Sequence, residues 1–241
     1  MNSIINDCIN IEKNINDILF INENIRKYNN YDSIEIKFIP EEDGINNFLN
    51  AIKNFGKINS FDNNNISKLS SIIKDHLSHE ILIINWLSEK VKRKKFKFEL
   101  IFTMSKNGSN SNDFHRHCDN KGPTLVLVKT TKEKIFGGFT PLSWQIGKGY
   151  KYDESNQTFI FSLNLDKKFD MINKANKAIH TDNGPWFGDC DFGLKDNMKK
   201  GETYANKTCN FLSNFNLELT GGKGESESFE TEDFEVYKVI Y

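Results

Sequence analysis

Apolar positions along the chain change texture once, near residue 96. In the first texture, Ile4, Cys8, Ile11, Ile15, Ile18 and Ile25 recur at alternating spacings of four and three, with Asn22 at the remaining seam position. That period predicts a helix with an apolar stripe over residues 4–25, and three heptads is the minimum that supports a coiled coil. Two readings of the stripe carry equal weight: self-association through the seam, or packing on the chain's own next helix. Ile5, Ile9, Leu19 and Ile21 lie off the seam and favour burial on more than one side. A short strand is expected over Ile34 to Ile39, ended by Pro40, and then a helix carrying Ile45, Phe48, Leu49, Ile52 and Phe55 that Gly56 closes. After a polar loop, a helical run from Ile66 to Leu77 leads into a second from Ser78 to Val91. Ile81, Leu82, Ile84, Trp86 and Leu87 make that second run too apolar for a free surface helix.

From Phe96 the pattern is one of strands and loops. Phe96 to Phe102 alternates and then turns continuously apolar, Asn107-Gly108 marks a turn, and Asp113 to Cys118 reads as a short helix. Leu125 to Val128 and Ile135 to Phe139 predict a hairpin of two buried strands joined by a loop from Thr130 to Lys134. Gly137 and Gly138 sit inside the second strand, where they add backbone entropy and no packing. Something bulky must therefore lie over bare main chain there, with Trp144 and Trp186 the candidates. Thr158 to Leu163 and Phe234 to Tyr241 are further strands, and Gly184 to Gly193 is rich in glycine and aromatics. Helices gathered at the front and strands broken by long loops predict an α+β protein built on an antiparallel two-sheet β-sandwich, not a parallel βαβ sheet. Residues 1–77 form the expected helical N-terminal region and residues 78–241 the strand-rich domain.

Composition narrows the function classes. The 241 residues carry 32 Lys and Arg against 33 Asp and Glu, a formal net charge of -1, so no global field holds nucleic acid or an anionic membrane. The basic run Lys92 to Lys95 reads first as cations at a helix end, where they meet the dipole. Cys8, Cys118, Cys190 and Cys209 are widely spaced, which writes neither a zinc site nor a disulfide framework. The sequence shows no signal peptide and no run of membrane-spanning length, so a reducing cytoplasm is the expected location.

The densest group of reactive side chains is His115-Arg116-His117-Cys118-Asp119. A nucleophilic Cys118 needs a base converging on it from another element, which consecutive residues do not supply. A redox-sensing thiol at Cys118 asks less, only exposure and a depressed pKa. His115, His117 and Cys118 lack a fourth metal ligand in sequence, and Asp189 and Asp191 start a calcium loop that nothing completes. Gly221 to Glu225 lacks the hydroxyl residue of a phosphate-binding loop. Neither a cofactor nor a catalytic constellation is expected.

Taken together, Phe98 to Phe102 followed by Lys106-Asn107-Gly108, Phe114 to Leu125 with Gly122 and Pro123, Phe136-Gly137-Gly138-Phe139, Phe159 to Leu163, Gly184-Pro185-Trp186-Phe187-Gly188 and Phe234-Glu235-Val236-Tyr237 occur in the order of one known family. From about Ser78 to Tyr241 the chain resembles the TLDc domain family. The resemblance implies an antiparallel β-sandwich without an accepted catalytic site, an association with oxidative-stress protection, and for several members binding to the cytosolic sector of the vacuolar proton-pumping ATPase. The pattern departs from that family at Asp189 to Gly193, where relatives are more glycine-rich. Gly122, Pro123, Gly137, Gly138, Phe139, Gly184, Gly188 and Glu235 are its motif residues here, expected to serve architecture more than contact. Glu235 stands apart: if buried, its carboxylate needs several donors and becomes a fold anchor or a functional site.

Overall fold

The longest strand of the computed structural model is Ser226–Ile240, fifteen residues that pair with three others. The structure describes residues 70–74, 76–172, 177–189, 191–204, 211 and 226–241. Two units divide the chain, Met1–Asn63 and Asn64–Tyr241, and the described residues belong to the second. The stripe of residues 4–25, the strand from Ile34 and the helix after Pro40 lie outside them, as do Cys8, Cys190 and Cys209.

In chain order the elements are α1 (Leu77–Val91), β1 (Lys97–Thr103), α2 (Met104–Asn107), α3 (Ser111–Cys118), β2 (Thr124–Thr130) and β3 (Ile135–Thr140). Then follow β4 (Tyr150–Tyr152), β5 (Phe159–Ser162), β6 (Lys167–Asp170), β7 (Lys177–His180), β8 (Trp186–Phe187), β9 (Phe192–Leu194), β10 (Lys200–Tyr204) and β11 (Ser226–Ile240). The strands pair in the order β4-β7-β8-β9-β10-β11-β2-β3-β5-β6, with β1 also on β11, and each pairing is antiparallel. The described residues thus form a mostly antiparallel α+β fold. β11 joins its two ends: Ser226 to Glu230 pair with β10, while the strand from Thr231 onward pairs with β2. A register shift at Glu232, between Thr231 and Asp233, marks the changeover, where a bulge bends the strand and increases its twist.

Local chemistry accounts for the boundaries. Ser70 to Lys74 form bends and a turn, so the helical run expected from Ile66 to Leu77 does not pass through them. The Ser70 hydroxyl accepts from the backbone N–H groups of Ile72 and Ile73, an alternative to helical bonding that serine offers its own neighbours. α1 ends where Lys92 turns left-handed at φ 59° and its N–H reaches the Ser88 carbonyl. The β2–β3 hairpin has the longer loop its sequence predicted. Thr130 N–H donates to the Lys134 carbonyl, and the Thr130 hydroxyl accepts from Lys132 and Lys134 N–H.

Side-chain alternation gives the β11-β2-β3-β5 sheet two buried faces. Val126, Val128, Phe136, Ile160, Phe234 and Val236 face a core shared with Phe187, Phe192 and Phe229. Phe136 meets Phe192 and Phe229 edge to face at 5.3 and 5.2 Å. On the opposite face lie Leu125, Leu127, Phe139, Phe159, Phe161, Glu235 and Tyr237, with Trp86 of α1 5.5 Å from the Phe161 ring. Lys90 and Glu89 at the end of α1 pair with Asp170 and Lys168 of β6.

The glycine pair of β3 divides between these faces. A Cβ on Gly138 would stand 2.7 Å from the Phe187 ring, and one on Gly137 would stand 1.9 Å from the Val126 carbonyl oxygen and 2.9 Å from Phe161. Neither Trp144 nor Trp186 covers them, contrary to expectation. Trp186 and Phe187 are neighbours on β8 and point to opposite sides, so Phe187 turns inward to Gly138 while Trp186 covers Gly193. Trp144 instead braces Phe187 from the side at 5.7 Å. Gly138→Ala should therefore lower stability by about 1–3 kcal/mol through overpacking against an immobile ring. Gly137→Ala, which meets main chain, should cost more, as read from urea unfolding midpoints.

Candidate functional site

Among the described residues four carboxylates are buried, Glu80, Asp153, Asp191 and Glu235, and Glu235 is the one in the family motif. β11 carries it to the centre of the sheet, opposite Leu127 on β2, with 1% of its surface exposed. A carboxylate taken out of water at such a place costs several kcal/mol unless donors replace its hydration. Four do so here. Oε2 accepts from the hydroxyls of Ser70 at 2.5 Å and Tyr237 at 2.7 Å, while Oε1 accepts from Ser71 N–H at 2.8 Å and the Ser71 hydroxyl at 2.7 Å. Tyr237 lies two residues along the strand, so alternation places it on the same face. Ser70 and Ser71 come from the segment before α1, which the Ser70 turn presents with Ile72 and Ile73 buried. Burial pushes the Tyr237 phenol far above its ordinary range, and the neighbouring Glu235 carboxylate adds to the effect.

A second polar group ties the loops at the other end. Asn110 caps α3 by accepting from Asp113 N–H, and one turn later His115 is buried beside Asp119. Both ring nitrogens of His115 face acceptors: Nδ1 the Asp119 carboxylate at 2.7 Å and Nε2 the Asn183 carbonyl at 2.8 Å. The other oxygen of Asp119 accepts from Ile146 N–H at 3.0 Å. One carboxylate thereby joins the end of α3 to the loop before β4, and the histidine reaches the loop before β8.

The remaining motif residues are distributed through the interior. Pro123 stands just before β2, where its carbonyl accepts from Val239 N–H, and a Cβ on Gly122 would stand 2.5 Å from the Leu142 carbonyl oxygen. Phe139 is fully buried and pairs with Phe159 across β3 and β5, while Gly184 leaves room for Met198. Gly188 has φ +73°, and a side chain there would run into the Asp191 carboxylate. Cys118 is fully buried in the core among Phe114, Trp144 and their neighbours. Burial drives its thiol pKa well above the ordinary value, and Asp119 adds to the rise. The exposed, acidified thiol that the redox reading required is therefore not what the fold provides.

An antiparallel α+β fold carrying these glycine and aromatic motifs defines a class, and comparison with known proteins names it. The TLDc domain model matches residues 66–240, and the chain belongs to that family. Among curated relatives, MTOR-associated protein MEAK7 of Gallus gallus is 36% identical over 67 residues, 28% of this chain and 14% of that protein. TBC1 domain family member 24 of Xenopus tropicalis is 25% identical over 125 residues, 49% of this chain and 22% of that protein. MEAK7 of Homo sapiens is 22% identical over 180 residues, 66% of this chain and 36% of that protein. The chain thus covers well under half the length of these relatives.

Glu235→Gln should lower stability by about 1.5–3 kcal/mol, because an amide N–H₂ replaces one acceptor among groups that must donate. Tyr237→Phe removes one of the four donors and should cost about 1 kcal/mol at neutral pH. The pH dependence separates them. The folded pKa of Tyr237 lies above its unfolded value of about 10, so the stability it contributes is complete below that pH and lost as pH rises beyond it. Equilibrium unfolding from pH 8 to 11 should show a fall in stability that Tyr237→Phe flattens and Glu235→Gln leaves in place.

Proposed function

We propose that the chain is a non-enzymatic, cytoplasmic protein-interaction module of the TLDc type. The observation that carries this reading is the full occupation of Glu235: both oxygens of the one deeply buried carboxylate of the family motif are bound by the chain's own donors, leaving none for a substrate. Motif glycines answer close approaches in the interior, which is the work of architecture. In the finer reading, the β11-β2-β3-β5 side and the β8-β9-β10 side are the two sheets of a sandwich, packed through Phe136, Phe187 and Phe192. That frame holds loops tied by Asp119 for a partner to grip.

The partner best supported by family membership is the cytosolic sector of the vacuolar proton-pumping ATPase, in the service of oxidative-stress protection. That the relative MEAK7 is an MTOR-associated protein supports a protein partner in general. Residues 4–25 would add self-association through their apolar stripe. Purified ATPase cytosolic sector should bind the full chain with a Kd of about 1 μM or tighter. No binding at concentrations a hundredfold higher would remove that partner.

A thiol function at Cys118 is not favoured, since burial both hides the sulfur and keeps it protonated. Peroxide titration with mass spectrometry should oxidise Cys118 no faster than Cys209 in the folded chain. Faster oxidation at Cys118 would restore the thiol reading.

A further inference from the structure

The run Lys92-Arg93-Lys94-Lys95 outlives its explanation as a helix end. Lys90, in the last turn of α1, is paired with Asp170, and Lys92 is the cap. The dipole acts within the last turn, so it does not account for Arg93, Lys94 and Lys95, which lie beyond it. The four side chains from Lys92 to Lys95 are exposed, and no carboxylate among the described residues pairs with any of them. The fold places this cationic turn beside apolar surface. Phe96 meets Tyr241 edge to face at 5.9 Å, and the charge of Arg93 is felt by the Tyr241 phenol. β1 and β11 set Lys97 directly opposite Ile240. Ile240 and Tyr241 are 38% and 44% exposed. Two acids lie near this corner: Asp153 is already bound by Ser155, Gln157 and Thr158, and Glu99 is paired with Lys97, so neither is taken up by the turn.

We infer that this corner, Lys92 to Lys95 with Ile240 and Tyr241, is a peripheral docking surface for an anionic phospholipid bilayer. Charge complementarity argues for an anion, and the form of the patch argues for a lipid surface. Four consecutive exposed cations form the kind of compact cluster that an anionic headgroup layer attracts, and the apolar side chains beside them favour a lipid surface over a nucleic acid. Exposed isoleucine and tyrosine beside those cations suit the boundary between headgroups and acyl chains, where aromatic and aliphatic side chains lodge. Neither signal holds a protein on a membrane alone, but the two together do so reversibly. The run stands out from the chain as a whole, whose net charge is -1. It requires no membrane-spanning segment, and none of the described helices is long and apolar enough to be one.

Flotation of the full chain with vesicles tests this. Binding is expected to vesicles containing about one-third phosphatidylserine and not to pure phosphatidylcholine, and it should weaken as salt rises. The combined variant Lys92→Asn, Arg93→Ser, Lys94→Ser and Lys95→Ser should bind less by about fivefold per cation removed, on the order of several hundredfold in all. Ile240→Ser should weaken binding while leaving its salt dependence intact. Because these side chains are exposed, the urea midpoint should stay where it is, which separates lost docking from lost folding. Equal binding to both vesicle types, or unchanged binding by the fourfold variant, would overturn the inference. So would single-stranded RNA that binds the same corner more tightly than the vesicles do and is lost with the same substitutions.

Discussion

A negative charge held away from water at the middle of a sheet constrains everything around it. Glu235 is tolerable on β11 only because two serines from far upstream and a tyrosine two residues away fill its coordination. The segment before α1 is therefore bound into the domain as its lid over that face, not attached to it. Fixing Ser70 and Ser71 also fixes where α1 can begin, and hence where Trp86 and the end of the helix meet β5 and β6. Apolar residues of similar volume could cover the face as well, but they would not choose this register for the incoming chain. The carboxylate is a positional device as much as a stabilising one.

The opposite face depends on shape. Gly138 leaves a bare patch of strand for the Phe187 ring, which in turn rests on Phe192 and Trp144. Rings close to main chain and to one another allow little adjustment, since a packed interior transmits displacement instead of absorbing it. The Asp119 tie extends the same rigidity to the loops before β4 and β8. Loops carried on such a frame are pre-organised, which lowers the entropic cost of binding a partner.

How much of this was readable beforehand depended on whether the signal was local. The β2–β3 hairpin announced itself through apolar runs and a charged loop, and the short helix expected over Asp113 to Cys118 is α3, which begins two residues earlier behind its Asn110 cap. β4, β7, β8 and β9 gave little signal, because two to four residues are too few to establish a period and their partners decide their conformation. The glycine pair correctly demanded a bulky neighbour, yet the choice of tryptophan failed on parity. Trp186 and Phe187 differ by one position on a strand, and which of the two faces inward is set by pairing with β7 and β9. Glu235 was conspicuous as a carboxylate in an apolar strand, but its serine donors stand 164 and 165 positions earlier. Nothing in Ser70-Ser71 by itself foretells that meeting. Cys118 looked reactive for its charged neighbours in sequence, whereas helical geometry turns the sulfur inward while Arg116 faces solvent.

β11 is common property of both ends of the strand order, passing from β10 to β2 across one bulge. Such a shared thread makes the two ends mechanically inseparable: neither can melt without tearing hydrogen bonds that belong to the other. A grip applied at the β9–β10 rim is consequently felt at the Glu235 clasp, and the domain yields to force as one body.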